Sequence, residues 1–123
     1  MSKELVASAE AVAARAYAPY SNYNVGAVVR TTDGREFEGV NVENAAYPLG
    51  VCAEKSALVA AVAAGYGPGQ VAAMGINASP CGGCRQWLQE FRVPEVSFRR
   101  GDGSIATYRA EELLPDGWDL PER

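Results

Sequence analysis

Histidine is absent from the sequence. The commonest general base and the commonest metal ligand are therefore both missing. Acid–base work near neutral pH must fall to a carboxylate, Cys, Tyr or Lys. Cysteine is scarce and odd in number, with only Cys52, Cys81 and Cys84. The opening stretch Met1 to Tyr17 is amphipathic and carries acids, unlike the basic-then-apolar plan of a secretory leader. A cytoplasmic setting is expected, and an odd trio of thiols there argues against a disulfide framework. No run of about 20 apolar residues occurs, so no membrane span is expected. Positive charge is in deficit, 11 Lys and Arg against 15 Asp and Glu, for a net charge of −4. That is a poor match for nucleic acid, whose affinity rests on cationic contacts to phosphates, and it leaves room for a small uncharged ligand. The one basic cluster, Phe98-Arg99-Arg100, runs into Gly101-Asp102-Gly103 and reads as a solvated turn.

What is present is globular. The 123 residues are 48% hydrophobic and 21% charged. They are expected to form one domain over 1–123 with a single core. Leu5, Val6, Ala9, Val12 and Ala13 lie at helical spacing in a first helix, over about Ser2 to Ala16. Pro19-Tyr20-Ser21-Asn22 breaks it. Val25 to Val29 has the composition of a buried strand. Thr32-Asp33-Gly34-Arg35 is a hairpin signal, with a return strand over Glu36 to Val40. After a loop over Asn41 to Val51, a helix over about Cys52 to Ala64 is apolar all round and is expected to be buried. Further strands are expected over Val71 to Ile76, Glu95 to Arg99 and Ile105 to Tyr108. Further helices are expected over Cys81 to Phe91 and Ala110 to Leu114. The order α-β-β-α-β-α-β-β-α predicts an α/β fold, a three-layer α/β/α sandwich. About six residues join the last two strands, too few for a parallel crossover, so the five-stranded sheet is mixed.

The chemistry gathers at the thiols. Cys81-Gly82-Gly83-Cys84 is a CxxC at a helix start, which brings two sulfurs together and reads as a metal pair, a redox pair or coincidence. Cys52 favours the metal, because it too opens a helix, and helix starts that follow strands collect at one edge of such a sheet. Three thiols make three corners of a tetrahedron, and an open fourth corner marks a catalytic rather than a structural Zn²⁺ site. A structural zinc module would need a fourth protein ligand, for which no further Cys or any His is present. A dithiol oxidoreductase would leave Cys52 and Glu54 without a purpose. Glu54, on the first turn after Cys52, can lean over the open corner and carry a proton from activated water. Its bland role is an acid that favours the helix dipole. Three thiolates and Glu54 concentrate negative charge, so Lys55 and Arg85, each adjacent to a ligand, are expected as partners of the sulfurs.

Cys52-Ala53-Glu54 with Pro80-Cys81-Gly82-Gly83-Cys84-Arg85-Gln86 resembles the zinc nucleoside deaminases, in the three-Cys form of their signature. The likeness is to the small homotetrameric cytidine deaminases. It runs from Tyr17-Ala18-Pro19-Tyr20-Ser21 to Glu112-Leu113-Leu114-Pro115. It implies one zinc held by Cys52, Cys81 and Cys84. Glu54 would move a proton from water to ring N3 and then to the leaving amine. The resemblance further implies that the Ala53 backbone and the Ser79 carbonyl hold the pyrimidine, and that Asn41 and Glu43 bind ribose hydroxyls. Lys55, Arg85 and Gln86 would surround the ligands. The implied assembly is a homotetramer with shared sites, acting on pyrimidine nucleosides in salvage. Its implied reaction converts cytidine and deoxycytidine to uridine and deoxyuridine.

Three positions depart from the family pattern. Tyr23 stands where Phe commonly stacks on the substrate, and Lys55 replaces the usual Arg, exchanging a planar fork for a point charge. Trp118 stands about where an aromatic reaches a neighbouring subunit's pocket. The blasticidin S deaminases share Cys-Ala-Glu and Pro-Cys-x-x-Cys-Arg-Gln but tend to lack the full Asn41-Val42-Glu43-Asn44-Ala45 segment found here. Another aminopyrimidine nucleoside is thus the alternative substrate. Polynucleotide editing is disfavoured by the acidic balance and the lack of a basic, aromatic strand-binding tract.

Overall fold

The structure, a computed structural model, describes residues 2–119. Helix α1 spans Ser2–Val12 and tightens into a 3₁₀ turn at Ala13–Arg15. Strands β1 (Gly26–Thr31) and β2 (Glu36–Val40) form the expected hairpin. Helix α2 (Ala53–Ala63), strand β3 (Val71–Ile76) and helix α3 (Gly82–Glu90) follow. Strands β4 (Val96–Arg99) and β5 (Ile105–Tyr108) and the short helix α4 (Ala110–Leu113) complete the order. The loop expected over 41–51 contains a 3₁₀ turn at Tyr47–Leu49, and Val42 bridges both Tyr17 and Val51.

The sheet order is β2-β1-β3-β4-β5. β3 and β4 are parallel, joined across α3, and every other neighbouring pair is antiparallel, including β4 with β5. Alternating side chains divide the core between two faces. Ala27, Val29, Met74, Ile76, Val96 and Phe98 point to α2, α3 and α4. Val28 and Ala73 point to Leu5, Ala9 and Val12 of α1. The result is the expected three-layer sandwich with a mixed five-stranded sheet.

Two glycines set how close the layers come. A Cβ on Gly75 would lie 2.5 Å from the Leu5 carbonyl carbon in α1. A Cβ on Gly39 would lie 2.3 Å from the Ala57 nitrogen and 2.4 Å from the Ala53 oxygen, both backbone atoms of α2. Only glycine permits such backbone approach.

One expectation is corrected. α2 is not buried all round: Ala53, Glu54, Ala57, Leu58 and Ala61 are covered, but Val59 and Val62 are 53% and 48% exposed. A helix lying on one sheet face can bury only the stripe towards it, and nothing else among the described residues covers the far side.

Candidate metal centre and substrate cavity

The two helix starts meet where the sequence placed them. Cys52 is the extended N-cap of α2, and Cys81 is the extended N-cap of α3. The Cys81 sulfur accepts a hydrogen bond from the Cys84 backbone N–H at 3.5 Å, as an N-cap side chain does. Cys84 is buried one turn inside α3, while Cys81 is exposed and Cys52 half-buried. The Cys52 and Cys81 sulfurs are 3.9 Å apart, and all three lie within 4.8 Å of one another. Three sulfurs around one Zn²⁺ at about 2.3 Å in a tetrahedron would be spaced by about 3.8 Å. The donor set and its spacing fit a zinc ion with little adjustment.

Burial, followed by the negative charge of Glu54, pushes the Cys84 thiol far up. Burial also raises Cys52. For Cys81, burial acts upward but is outweighed by the Cys84 backbone N–H and by the neighbouring thiols, and the pKa falls. Glu54 is only 4% exposed, and burial raises its carboxyl above the usual carboxylate range. Its own backbone N–H, contact with Cys84 and the Lys55 charge oppose that rise. A cation among the sulfurs would reverse the balance, since a metal deprotonates its thiol ligands.

A cavity of about 360 Å³ opens beside the thiols. Cys52, Cys81, Ala53, Glu54, Tyr23, Asn41, Glu43 and Ser79 all line it, together with Val25, Tyr47 and Ala78. The structure thus gathers most of the expected site residues around one space. A larger hollow of about 800 Å³ shares Tyr23, Ala78 and Ser79 with it but is floored by Arg85, Phe98, Arg100 and Tyr108 and holds none of the sulfurs. Its size does not outweigh the missing donors, so the chemistry belongs to the smaller cavity.

Asn41 and Glu43 face the same way, as alternation on an extended segment requires. Both are already engaged. The Asn41 side chain accepts from the Val25 N–H at 2.8 Å and donates to the Tyr23 carbonyl at 2.9 Å. Glu43 Oε1 accepts from the backbone N–H groups of Tyr20 and Ser21 at 3.0 and 3.1 Å, and Ser21 Oγ donates to Oε2. The Ser21 hydroxyl holds the Glu43 carboxyl below its ordinary pKa, with the two backbone N–H groups assisting. Each side chain keeps spare capacity for a hydroxyl, one N–H on the amide and lone pairs on the carboxylate.

Sequence reasoning missed Asn77. Its side chain accepts from the Gly26 N–H at 3.0 Å and donates to the Asn24 carbonyl at 3.1 Å. It repeats on the β3 side what Asn41 does on the β2 side. The only sequence signal was an Asn directly after each flanking strand.

Of the expected partners of the sulfurs, Lys55 stays beside the CxxC turn and Arg85 bonds to oxygens. Lys55 Nζ sits over the Trp87 ring, 5.9 Å from its centre, beside Gly83 of the CxxC turn. Arg85 donates to the Pro80 carbonyl at 2.9 Å, the Leu113 carbonyl at 3.1 Å and Ser79 Oγ at 3.1 Å. It therefore braces the loop ahead of α3 against α4, and these bonds go to oxygen rather than sulfur. Gln86 donates to the Trp118 carbonyl at 3.0 Å. Trp118 is 65% exposed and lines a separate hollow with Gln86, Trp87, Glu90 and Phe91, outside this chain's own thiol cavity.

The chain is similar to known proteins in sequence and in fold. A family model, the cytidine and deoxycytidylate deaminase zinc-binding region, matches residues 1–100. A probable cytidine deaminase of Dictyostelium discoideum is 41% identical over 105 residues, 81% of this chain and 71% of that one. The cytidine deaminase of Mycobacterium tuberculosis is 38% identical over 119 residues, 94% of this chain and 87% of that one. The crystal structure of a cytidine deaminase from Burkholderia pseudomallei superimposes with a TM-score of 0.89 at 43% identity, covering 96% of this chain and 99% of that one. With three thiols spaced for zinc and a buried carboxyl at their side, the chain belongs to the cytidine and deoxycytidylate deaminase family.

Proposed function

We propose that the chain is a zinc-dependent hydrolase that converts cytidine and deoxycytidine to uridine and deoxyuridine, with release of ammonia. The observation that carries this reading is a zinc-spaced trio of thiols, two of which line one cavity together with the buried Glu54 and the Asn41/Glu43 pair. Bound by Cys52, Cys81 and Cys84, Zn²⁺ would supply a Lewis acid that makes water nucleophilic near neutral pH.

The chain's own residues would do the rest. Glu54, kept from bulk water, would carry one proton of the attacking water to pyrimidine N3, where the product keeps it, and the second to the amine, which leaves as ammonia. Burial near its partners suits a carboxyl that must hold and release protons in one turnover. The Ala53 N–H and the Ser79 carbonyl would hold the ring edge, and the Tyr23 ring would cover its face. Asn41 and Glu43 would take the sugar hydroxyls. A site that bonds a hydroxyl discriminates against ligands that lack it.

We further read residues 1–123 as one catalytic domain that works in pyrimidine salvage in the cytoplasm, as a homotetramer with shared sites. The exposed apolar side chains Tyr20, Val42, Tyr47, Leu49 and Val51 support an assembly, as do Val59 and Val62 on α2. Trp118, exposed beside α3, would reach a neighbouring copy's cavity. No helix among the described residues is long and apolar enough to cross a membrane.

The test is ultraviolet monitoring of cytidine loss, wild type against Glu54→Ala, with zinc content measured on both. Wild type is expected to deaminate cytidine, and the variant to lose about 10²- to 10⁴-fold in kcat, the usual share of acid–base catalysis, while keeping its zinc. An inactive wild type with full zinc would overturn the substrate reading. Blasticidin S assayed alongside would then separate the alternative.

A further inference from the structure

Ser21 lies behind Glu43 rather than in the thiol cavity. It lines the adjoining hollow with Tyr20, Glu43, Asn44, Tyr47 and Gly50, whereas its two bonding partners Glu43 and Tyr23 both line the thiol cavity. Its hydroxyl makes two bonds of opposite sense. It accepts from the Tyr23 backbone N–H at 3.0 Å, and it donates to Glu43 Oε2. The incoming N–H fixes where the lone pairs are used and so aims the hydroxyl proton at the carboxylate. Asn22, between the two, has a φ of +58°, a left-handed conformation that Asn tolerates. This turn brings the Tyr23 N–H back onto Ser21.

Glu43 is consequently held at both oxygens. Oε1 takes the consecutive N–H groups of Tyr20 and Ser21, a small backbone nest for an anion. Those two bonds alone leave the carboxylate free to tilt. The third, from Ser21 Oγ, sets the plane of the carboxylate and ties it to the backbone of Tyr23. The two residues read as gripping the sugar and the ring are 20 positions apart in sequence, and one hydroxyl joins them.

We propose that Ser21 is a positioning residue for the nucleoside: it orients the Glu43 carboxylate towards the sugar hydroxyls and sets the distance between Glu43 and the Tyr23 ring. The proposal rests on the reading of the cavity as a cytidine site. It requires Ser21 to act on sugar recognition and to leave the metal and the proton transfer alone.

The experiment compares Ser21→Ala and Ser21→Thr with wild type, alone and combined with Glu43→Ala. It reads kcat and KM for cytidine, inhibition by 2′,3′-dideoxycytidine, zinc content and melting temperature. A hydrogen bond to a charged group corresponds to about 10-fold or more in affinity. Ser21→Ala should therefore raise KM about 10-fold while kcat changes less than about threefold, with zinc content unchanged. Ser21→Thr keeps the hydroxyl and should restore KM to within about threefold of wild type. On the Glu43→Ala background, Ser21→Ala should add nothing, since residues acting through one another are not additive. The inhibition constant of dideoxycytidine should stay within about twofold. A melting point near that of wild type for both variants separates these effects from unfolding, and Thr reports even if Ala is unstable. Three results would each overturn the proposal: unchanged KM in Ser21→Ala, a full further loss on the Glu43→Ala background, or a fall in kcat with zinc loss. A wild type that ignores cytidine would instead bring down the substrate reading, and this proposal with it.

Discussion

Gly39 offers the most direct test of how the fold sets the metal centre. It lies on β2 against the first turn of α2, and a Cβ there would meet Ala57 N at 2.3 Å, Ala53 O at 2.4 Å and Ala57 Cα at 2.8 Å. All three are backbone atoms, so no side chain can swing aside. In Gly39→Ala, α2 must retreat from the sheet by about 1 Å to reach ordinary contact. Ala53 lies between Cys52 and Glu54, so the retreat carries a zinc ligand and the proposed proton carrier away from Cys81 and Cys84. Overpacking of this kind costs about 1–3 kcal/mol. For a chain of this size that lowers the melting temperature by roughly 5–15 °C. A displacement near 1 Å at the reacting groups costs on the order of 100-fold in rate. Gly101→Ala is the matched control, because a Cβ there meets nothing within 4 Å. The assays are thermal unfolding, zinc stoichiometry after dialysis and kcat/KM on cytidine. Gly39→Ala should fall in all three, and Gly101→Ala in none. If the two variants behave alike, the close approach of β2 does not position α2, and the reasoning fails.

Arg85→Lys should keep zinc but raise the KM for cytidine severalfold and cost about 1–3 kcal/mol. A single ammonium cannot replace a fork that reaches the Pro80 and Leu113 carbonyls and Ser79 Oγ, as thermal unfolding and kinetics would show. The Glu43 carboxyl sits below its ordinary value through Ser21 and the Tyr20 and Ser21 N–H groups. Its proposed contribution to nucleoside affinity should therefore be complete above the usual carboxylate pKa and lost only as the pH falls through the lowered one. In a KM–pH profile, Ser21→Ala should move that acid limb upward. An unmoved limb would detach Glu43 from it.

Much of this was legible in the sequence because its signals are local. An apolar, buried-strand composition marked the first strand, the Asp33-Gly34 turn fixed the first hairpin, and a six-residue link made β4 and β5 antiparallel. The thiols were legible as well, since cysteines that open two helices of an α/β sandwich are carried to one edge. The outer face of α2 was not legible. Ala, Val and Leu on every side say only that a helix is apolar, and which stripe the sheet covers depends on where β1 and β2 lie. The targets of Arg85 were also hidden: its charge next to Cys84 suggested sulfur, but the carbonyls it meets include one 28 residues on. Ser21 and Asn77 escaped notice for the same reason. Their partners lie 22 and 51–53 residues away, and single polar residues in loops carry no periodicity.

The two asparagines explain how a tightly paired sheet makes room for a ligand. Asn41 and Asn77 are the residues at which β2 and β3 leave β1. Each still gives its backbone N–H to the chain at the start of β1, Asn41 to the Val25 carbonyl just before the strand and Asn77 to the Gly26 carbonyl. Each then uses its side-chain amide as a substitute peptide group, with one acceptor and one donor placed where the next residue of the strand would have put them. The bonding partners of residues 23–26 are thus supplied without the neighbouring main chains having to continue alongside. Freed from the ladder, those main chains part, and the residues that follow, Val42-Glu43 on one side and Ala78-Ser79 on the other, become walls of the cavity. An Asp at either position would keep the acceptor but lose the donor. The opening in the sheet is therefore a property of the amide group itself, and two asparagine side chains at its edge set how wide the cavity beside the thiols is.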